Sequence, residues 1–116
     1  MQVVNVSVKN IRPGHSNLKE WAEDKDNLYV GRGWIVFING ERYPQEDSPF
    51  CNPFRINQDG TRDDVLRKYR EHLISKPALI TAFLEAARGK KCLGCWCKPE
   101  TCHADILAEI TVNAGK

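Results

Sequence analysis

The sequence predicts an α/β fold: one small layered domain over residues 1–116, with a central mixed sheet of about four or five strands flanked by about three or four helices. Three observations carry this expectation. Strand-like segments stand at both ends of the chain, two amphipathic stretches lie back to back in its middle, and a short apolar cysteine-rich segment runs into a last helix. At 116 residues the chain is long enough for one hydrophobic core and too short for two.

Val3 to Val8, with valine at 3, 4, 6 and 8, reads as the first strand. Ile11-Arg12-Pro13-Gly14-His15 breaks it, and Ser16 is placed to cap a short helix carrying Leu18, Trp21 and Ala22. Leu28-Tyr29-Val30 is a short strand ending at Gly31-Arg32-Gly33. Trp34 to Ile38 is a stronger strand, and Asn39-Gly40 is a preferred pair for a tight hairpin that returns through Glu41-Arg42-Tyr43. Residues 44–60, with Pro44, Pro49, Pro53 and Gly60, form a long loop.

Thr61 then caps a helix whose stripe is Val65, Leu66, Tyr69 and Leu73, with Asp64 near the positive end of its dipole. Pro77 opens a second helix with Ile80, Phe83, Leu84 and Ala87 in phase, and Gly89 ends it. Cys92 to Cys97 reads as a buried strand, expected to be central. Pro99 or Thr101 opens a final helix that turns Ile106, Leu107 and Ile110 inward.

Composition bounds the function. Hydrophobic residues at 41% and charged residues at 28% are those of an ordinary soluble domain. A net charge of +2 gives no concentrated basic face, so a nucleic-acid partner is not expected. No apolar run reaches membrane-spanning length, and Met1 to Val6 lacks the charged and apolar regions of a signal peptide. Five cysteines, odd in number and clustered, point to free thiols or metal ligands in a reducing cytoplasm.

Four of those cysteines and one of three histidines fall between Cys92 and Asp105. In a strand, Cys95 and Cys97 share a face and Trp96 takes the other. Cys102 and His103 sit in the first turn of the last helix, where free N–H groups hold anions and acidify thiols. They converge with Cys97 at a strand's carboxyl end, the usual ligand position in open α/β sheets. Three chemistries stay open here. Cys95, Cys97, Cys102 and His103 are a candidate zinc set, although an extended segment cannot also make a knuckle turn. Cys97 and Cys102 are a candidate redox pair. The cysteines are otherwise small buried hydrophobes.

Taken together, Cys95-Trp96-Cys97-Lys98-Pro99-Glu100-Thr101-Cys102-His103, the upstream Asn52-Pro53-Phe54, the helix Arg62 to Tyr69 and the Gly31-Arg32 pair resemble a family of bacteria and their viruses. That family is catalogued as a domain of unknown function, number 4326 of its series. The resemblance covers nearly the whole chain and implies a fold and a site, not a reaction. Cys92 falls outside the signature, and Ala104 stands where the family more often has glycine.

The Ser48 to Arg55 segment is a proline-locked loop in which Asn52 is held extended by Pro53. Its amide suits a base or ribose, unless Asn52 caps a turn while Pro53 and Phe54 plug the core. Arg32 and Arg55 suit phosphate. The leading expectation is a small cytoplasmic protein binding a phosphorylated, nucleotide-like ligand through Arg32, Ser48, Asn52, Arg55, Lys98 and Cys102. His103 would act as acid/base or phosphate contact, with Asp105 or Glu100 as helper, for cleavage or transfer of part of the ligand. Two rivals use the same residues: a zinc-stabilised non-catalytic module binding protein or nucleic acid, and a viral protein that sequesters a nucleotide signal without turnover.

Overall fold

The protein is described by a computed structural model covering residues 1–98 and 100–114. In chain order its elements are β1 (Gln2–Asn5), α1 (Val8–Ile11), α2 (Leu18–Glu23), β2 (Asn27–Tyr29), β3 (Val36–Ile38), β4 (Glu41–Tyr43), α3 (Arg62–Ser75), α4 (Pro77–Ala87), β5 (Cys92–Cys95) and α5 (His103–Ala114). The α/β class holds, and so does the central place of the last strand. β5 lies between β1 and β2 and is parallel to both, in register from Gln2–Cys92 to Asn5–Cys95 on one side and from Asn27–Cys92 to Tyr29–Gly94 on the other.

The main sheet is smaller than expected and wholly parallel among the described residues. β3 and β4 form a separate antiparallel hairpin turned at Asn39 and Gly40, with φ of 53° and 83°. The physical reason lies just before it. Trp34 adopts φ 60°, which breaks the extended path from β2, and its N–H bonds Pro44 across the base of the hairpin. The first strand is also shorter than the valine pattern suggests. The Asn5 side chain accepts from Ser7 N at 2.9 Å, and this Asx turn redirects the chain into α1, leaving Val8 exposed.

Local capping follows side-chain chemistry. Thr61 and Asp64 make a reciprocal capping box on α3, Pro77 opens α4, and Gly89 ends it at φ 76°. α2 is capped by Asn17 rather than Ser16, because Asn17 accepts from Glu20 N while the Ser16 N–H is taken by the Glu20 carboxylate. Of the two residues read as openers of the last helix, Pro99 lies outside the described residues, and α5 begins after Cys102.

Alternation along β5 divides the core. Leu93 and Cys95 join Val30, Phe50, Tyr69, Leu73, Phe83 and Leu107 beneath α3, α4 and α5. On the opposite face, Cys92 and Trp96 pack with Val6, Ile11, Leu18 and Trp21. Cys97 returns to the first face, so the predicted alternation Cys95, Trp96, Cys97 holds past the last ladder residue. No helix among the described residues is long and apolar enough to cross a membrane.

Candidate functional site

At the carboxyl ends of β2 and β5 the chain leaves a cavity of about 640 Å³. Gly31 and Arg32 follow β2 into its wall, Cys95 to Cys97 follow β5, and Thr101 to His103 lead into α5. The 52–58 loop and the first turns of α3 close the sides, and Ile35 reaches in from the segment before the hairpin. Among the described residues three arginines line the cavity, Arg32, Arg55 and Arg62, and no lining residue is Asp or Glu.

The loop is fixed by its own polar groups. Phe50 is buried edge-on to Phe83, and its carbonyl accepts from the Tyr69 hydroxyl at 2.7 Å. Asn52 Oδ1 accepts from Phe54 N at 2.9 Å, and its Nδ2 donates to the Val65 carbonyl at 3.3 Å. Both ends of that amide are therefore engaged inside the protein, and Asn52 pins the loop to α3 instead of offering its amide to a base. Arg32 has two donor contacts spent in the same way, on the Asn52 and Phe54 carbonyls at 2.7 and 3.1 Å. Ser48 lies outside the cavity wall. Its hydroxyl accepts from Phe50 N and its N–H donates to the Gly31 carbonyl, so it shapes the turn.

The expected helpers of His103 are elsewhere. Asp105 pairs with Lys98 at 2.6 Å and accepts from the Cys102 N–H at 2.9 Å, which closes the N-terminus of α5. This carboxylate is the main reason the Lys98 pKa is raised. Neither residue lines the cavity. Glu100 is exposed, and its N–H serves the turn by donating to the Cys97 carbonyl. A carboxylate at the helix start also occupies an N–H that an anionic ligand would need, which places the burden of anion binding on the arginines.

His103 is buried, with Nε2 2.6 Å from the Val30 carbonyl and its ring edge-on to Tyr69. A carbonyl only accepts, so Nε2 carries the proton and Nδ1 alone is left for a ligand. Burial lowers the His103 pKa, against the opposing hydrogen bond to Val30. Since the unfolded imidazole, at about 6.5, takes a proton before the folded one does, stability is expected to fall as pH drops below about 6.5 toward the lowered value. The matching observation is an imidazole ¹⁵N titration whose midpoint lies below the ordinary value of about 6.5, with the neutral ring protonated at Nε2. A midpoint at or above the ordinary value would contradict this placement.

Three cysteines meet at the same end of the cavity. The Cys95 and Cys102 sulfurs are 3.0 Å apart, and Cys97 lines the same cavity as Cys102 and Arg62. Arg62 is itself braced by a 2.9 Å bond to the Thr101 carbonyl. Donation from the Cys102 thiol, assisted by Arg62, outweighs burial and brings the Cys97 pKa down to about 6. Hydrogen bonds to Cys95 first and then to Cys97, together with burial, push the Cys102 thiol up. Cys102 is thus the donor of the cluster, and its hydrogen bonds lower the pKa of both Cys95 and Cys97. Cys97, already named in the candidate zinc and redox sets, lines this cavity, and Arg62, read only as a helix opener, is the residue that spacing alone left out of the site.

The zinc set of Cys95, Cys97, Cys102 and His103 is not assembled. Among the described residues no group of three or more His, Cys, Asp or Glu is arranged to hold a metal. His103 spends Nε2 on Val30. Two thiolates bound to a tetrahedral zinc with Zn–S of about 2.3 Å stand roughly 3.8 Å apart, well beyond the Cys95–Cys102 contact.

Comparison with known proteins agrees with the family resemblance. One similar protein, described as an uncharacterized 12.4 kDa protein in the nrdA-td intergenic region of Enterobacteria phage T4, is 43% identical over 54 residues. That match covers 44% of this chain and 49% of the phage protein, so it spans about half the length of that relative. No solved structure matches the chain. A family profile described as Domain of unknown function (DUF4326) matches residues 15–113, and the chain belongs to that family.

Proposed function

We propose that the cavity binds a small phosphorylated, nucleotide-like ligand. The observation that carries this reading is the wall itself: among the described residues, three arginines, no carboxylate, and otherwise mostly apolar side chains including Ile35, Phe54, Ile56, Leu66 and Trp96. Guanidinium groups match phosphate oxygens in bidentate geometry, and an apolar rim suits the faces of a base or sugar. A volume of about 640 Å³ is in the range of small-molecule pockets. Arg55 and Arg62 are the phosphate contacts in this reading, Arg32 contributes its remaining donors, and His103 Nδ1 accepts one hydrogen bond. Free thiols at all five cysteines fit a reducing compartment such as the cytoplasm.

A thermal-shift screen of nucleoside mono-, di- and triphosphates tests it. A ligand present at a hundred times its dissociation constant adds about 2.7 kcal/mol to stability. At least one nucleotide is expected to raise the midpoint, and Arg55→Ala with Arg62→Ala is expected to abolish the rise. A screen without any shift, or a shift that survives the double substitution, would overturn the reading. Recovery of the unchanged nucleotide after incubation assigns the pocket to sequestration, and recovery of a product assigns it to turnover.

A further inference from the structure

We propose that the β3–β4 hairpin is a second base-binding subsite, so that the ligand of the cavity carries two nucleobases joined through phosphate. This subsite rests on the phosphorylated-ligand reading and names the class of that ligand. Trp34 and Phe37, on the hairpin, are 60% and 65% exposed. Both belong to a segment that is held in place. The Trp34 N–H donates to the Pro44 carbonyl at 2.7 Å, and its indole N–H donates to the Gln45 carbonyl. Gly33 lies so close to the returning chain that a Cβ on it would stand 2.4 Å from the Glu46 carbonyl carbon, and its N–H donates to Asp47 at 2.7 Å. Trp34 also adopts φ 60°, a strained backbone conformation for a bulky residue, and yet its ring stands in solvent and not in the core.

Burial alternates along this strand. Val36 and Ile38 pack on the Val6, Leu18 and Trp21 core, while Ile35 and Phe37 face outward. Ile35 is also part of the cavity wall, so Phe37 continues the cavity's apolar rim two residues, or about 7 Å, further along the strand. Arg42 stands opposite Phe37 in the ladder. Its guanidinium lies 4.6 Å from the Phe37 ring centroid and donates to the Trp34 carbonyl at 3.0 Å. A fixed aromatic ring with an arginine beside it is what a stacked base and its phosphate require. The cation within the patch, and its continuity with an arginine-walled cavity, favour a phosphate-linked ligand over an apolar protein face.

The test measures dissociation constants of the full chain by calorimetry. The probes are the common ribonucleoside monophosphates and, for each, the dimer joined by a phosphodiester and the dimer joined by a pyrophosphate. At least one dimer is expected to bind about tenfold more tightly than its monomer, the scale of one base–aromatic stack. Phe37→Ala is expected to remove that gain and to leave monomer binding within about twofold. Arg42→Gln, a second variant on the same surface, is expected to shrink the gain and flatten its salt dependence. Preference for the phosphodiester assigns the site to the end of a nucleic-acid strand, and preference for the pyrophosphate to a dinucleotide. Equal binding of monomers and dimers, or a Phe37→Ala variant that weakens both alike, overturns the subsite and leaves the cavity reading intact. Absence of binding by every probe overturns both. A concentration-dependent dimer in sedimentation that Phe37→Ala dissolves would give the hairpin to a second copy of the chain, and the subsite would fall.

Discussion

Tyr69→Ala is expected to be among the most damaging single substitutions, at about 3–5 kcal/mol for the lost core packing. The ring is fully buried, meets His103 edge-on at 5.3 Å and lies near-parallel to His72 at 6.4 Å. Its hydroxyl also holds the Phe50 carbonyl, so the site loop loses its anchor to α3. Tyr69→Phe separates the two contributions. It retains the packing and leaves a buried carbonyl without its donor, which costs about 1–3 kcal/mol. Urea denaturation at constant m-value measures both. A Tyr69→Phe midpoint equal to that of the parent would show that the hydroxyl bond does not hold the loop. A typical domain has only about 5–15 kcal/mol in total, so the alanine variant is expected to lose ligand response as well as stability.

The second large effect is expected at Gly94, in the middle of the central strand. A Cβ there would stand 2.5 Å from two atoms of the Trp21 ring and 2.7 Å from Val6 Cγ1. Trp21 is 4% exposed and Val6 1%, so neither has free space to retreat into. β5 cannot move either, since it is paired to β1 and β2 on its two edges. Gly94→Ala is therefore expected to cost about 1–3 kcal/mol through overpacking. Trp21→Phe in the Gly94→Ala background is expected to recover part of the loss, and a double-mutant cycle reads that coupling. Strict additivity of the two changes would contradict the clash.

Much of this fold was legible in local chemistry. The Thr61–Asp64 capping box, Pro77 at a helix start and Gly89 at a helix end are short-range devices, and each formed where its residue types required. The β5 segment was readable because a parallel strand covered on both faces leaves a short apolar run. What misled were patterns that a nearby side chain overrode. Val8 continued a valine alternation, yet the Asn5 carboxamide turned the chain first. The hairpin was found, but only the φ of Trp34 shows that it stands apart from the main sheet.

The site was legible in place and less so in roles. Arg32, Asn52, Arg55, Cys102 and His103 do line one cavity, although they are far apart in sequence. Asn52 and much of Arg32 hold the loop, because a buried amide takes whatever partners its own backbone offers. Asp105, a helper by proximity in sequence, is spent on Lys98 and the Cys102 N–H. Arg62 and Cys97 come together only through the packing of α3 beside the end of β5, a long-range event with no local signal.

The central claim is that one cavity, walled by arginines at the ends of β2 and β5, takes a phosphorylated ligand. Its most direct test is a ¹H–¹⁵N titration with the nucleotide that gives the largest thermal shift. Saturable shifts are predicted at the amides of Gly31, Arg32, Phe54, Arg62, Cys97 and Cys102. Perturbations confined to the outward basic residues Arg67, Arg70, Lys90 and Lys91, or none at saturating nucleotide, would contradict it.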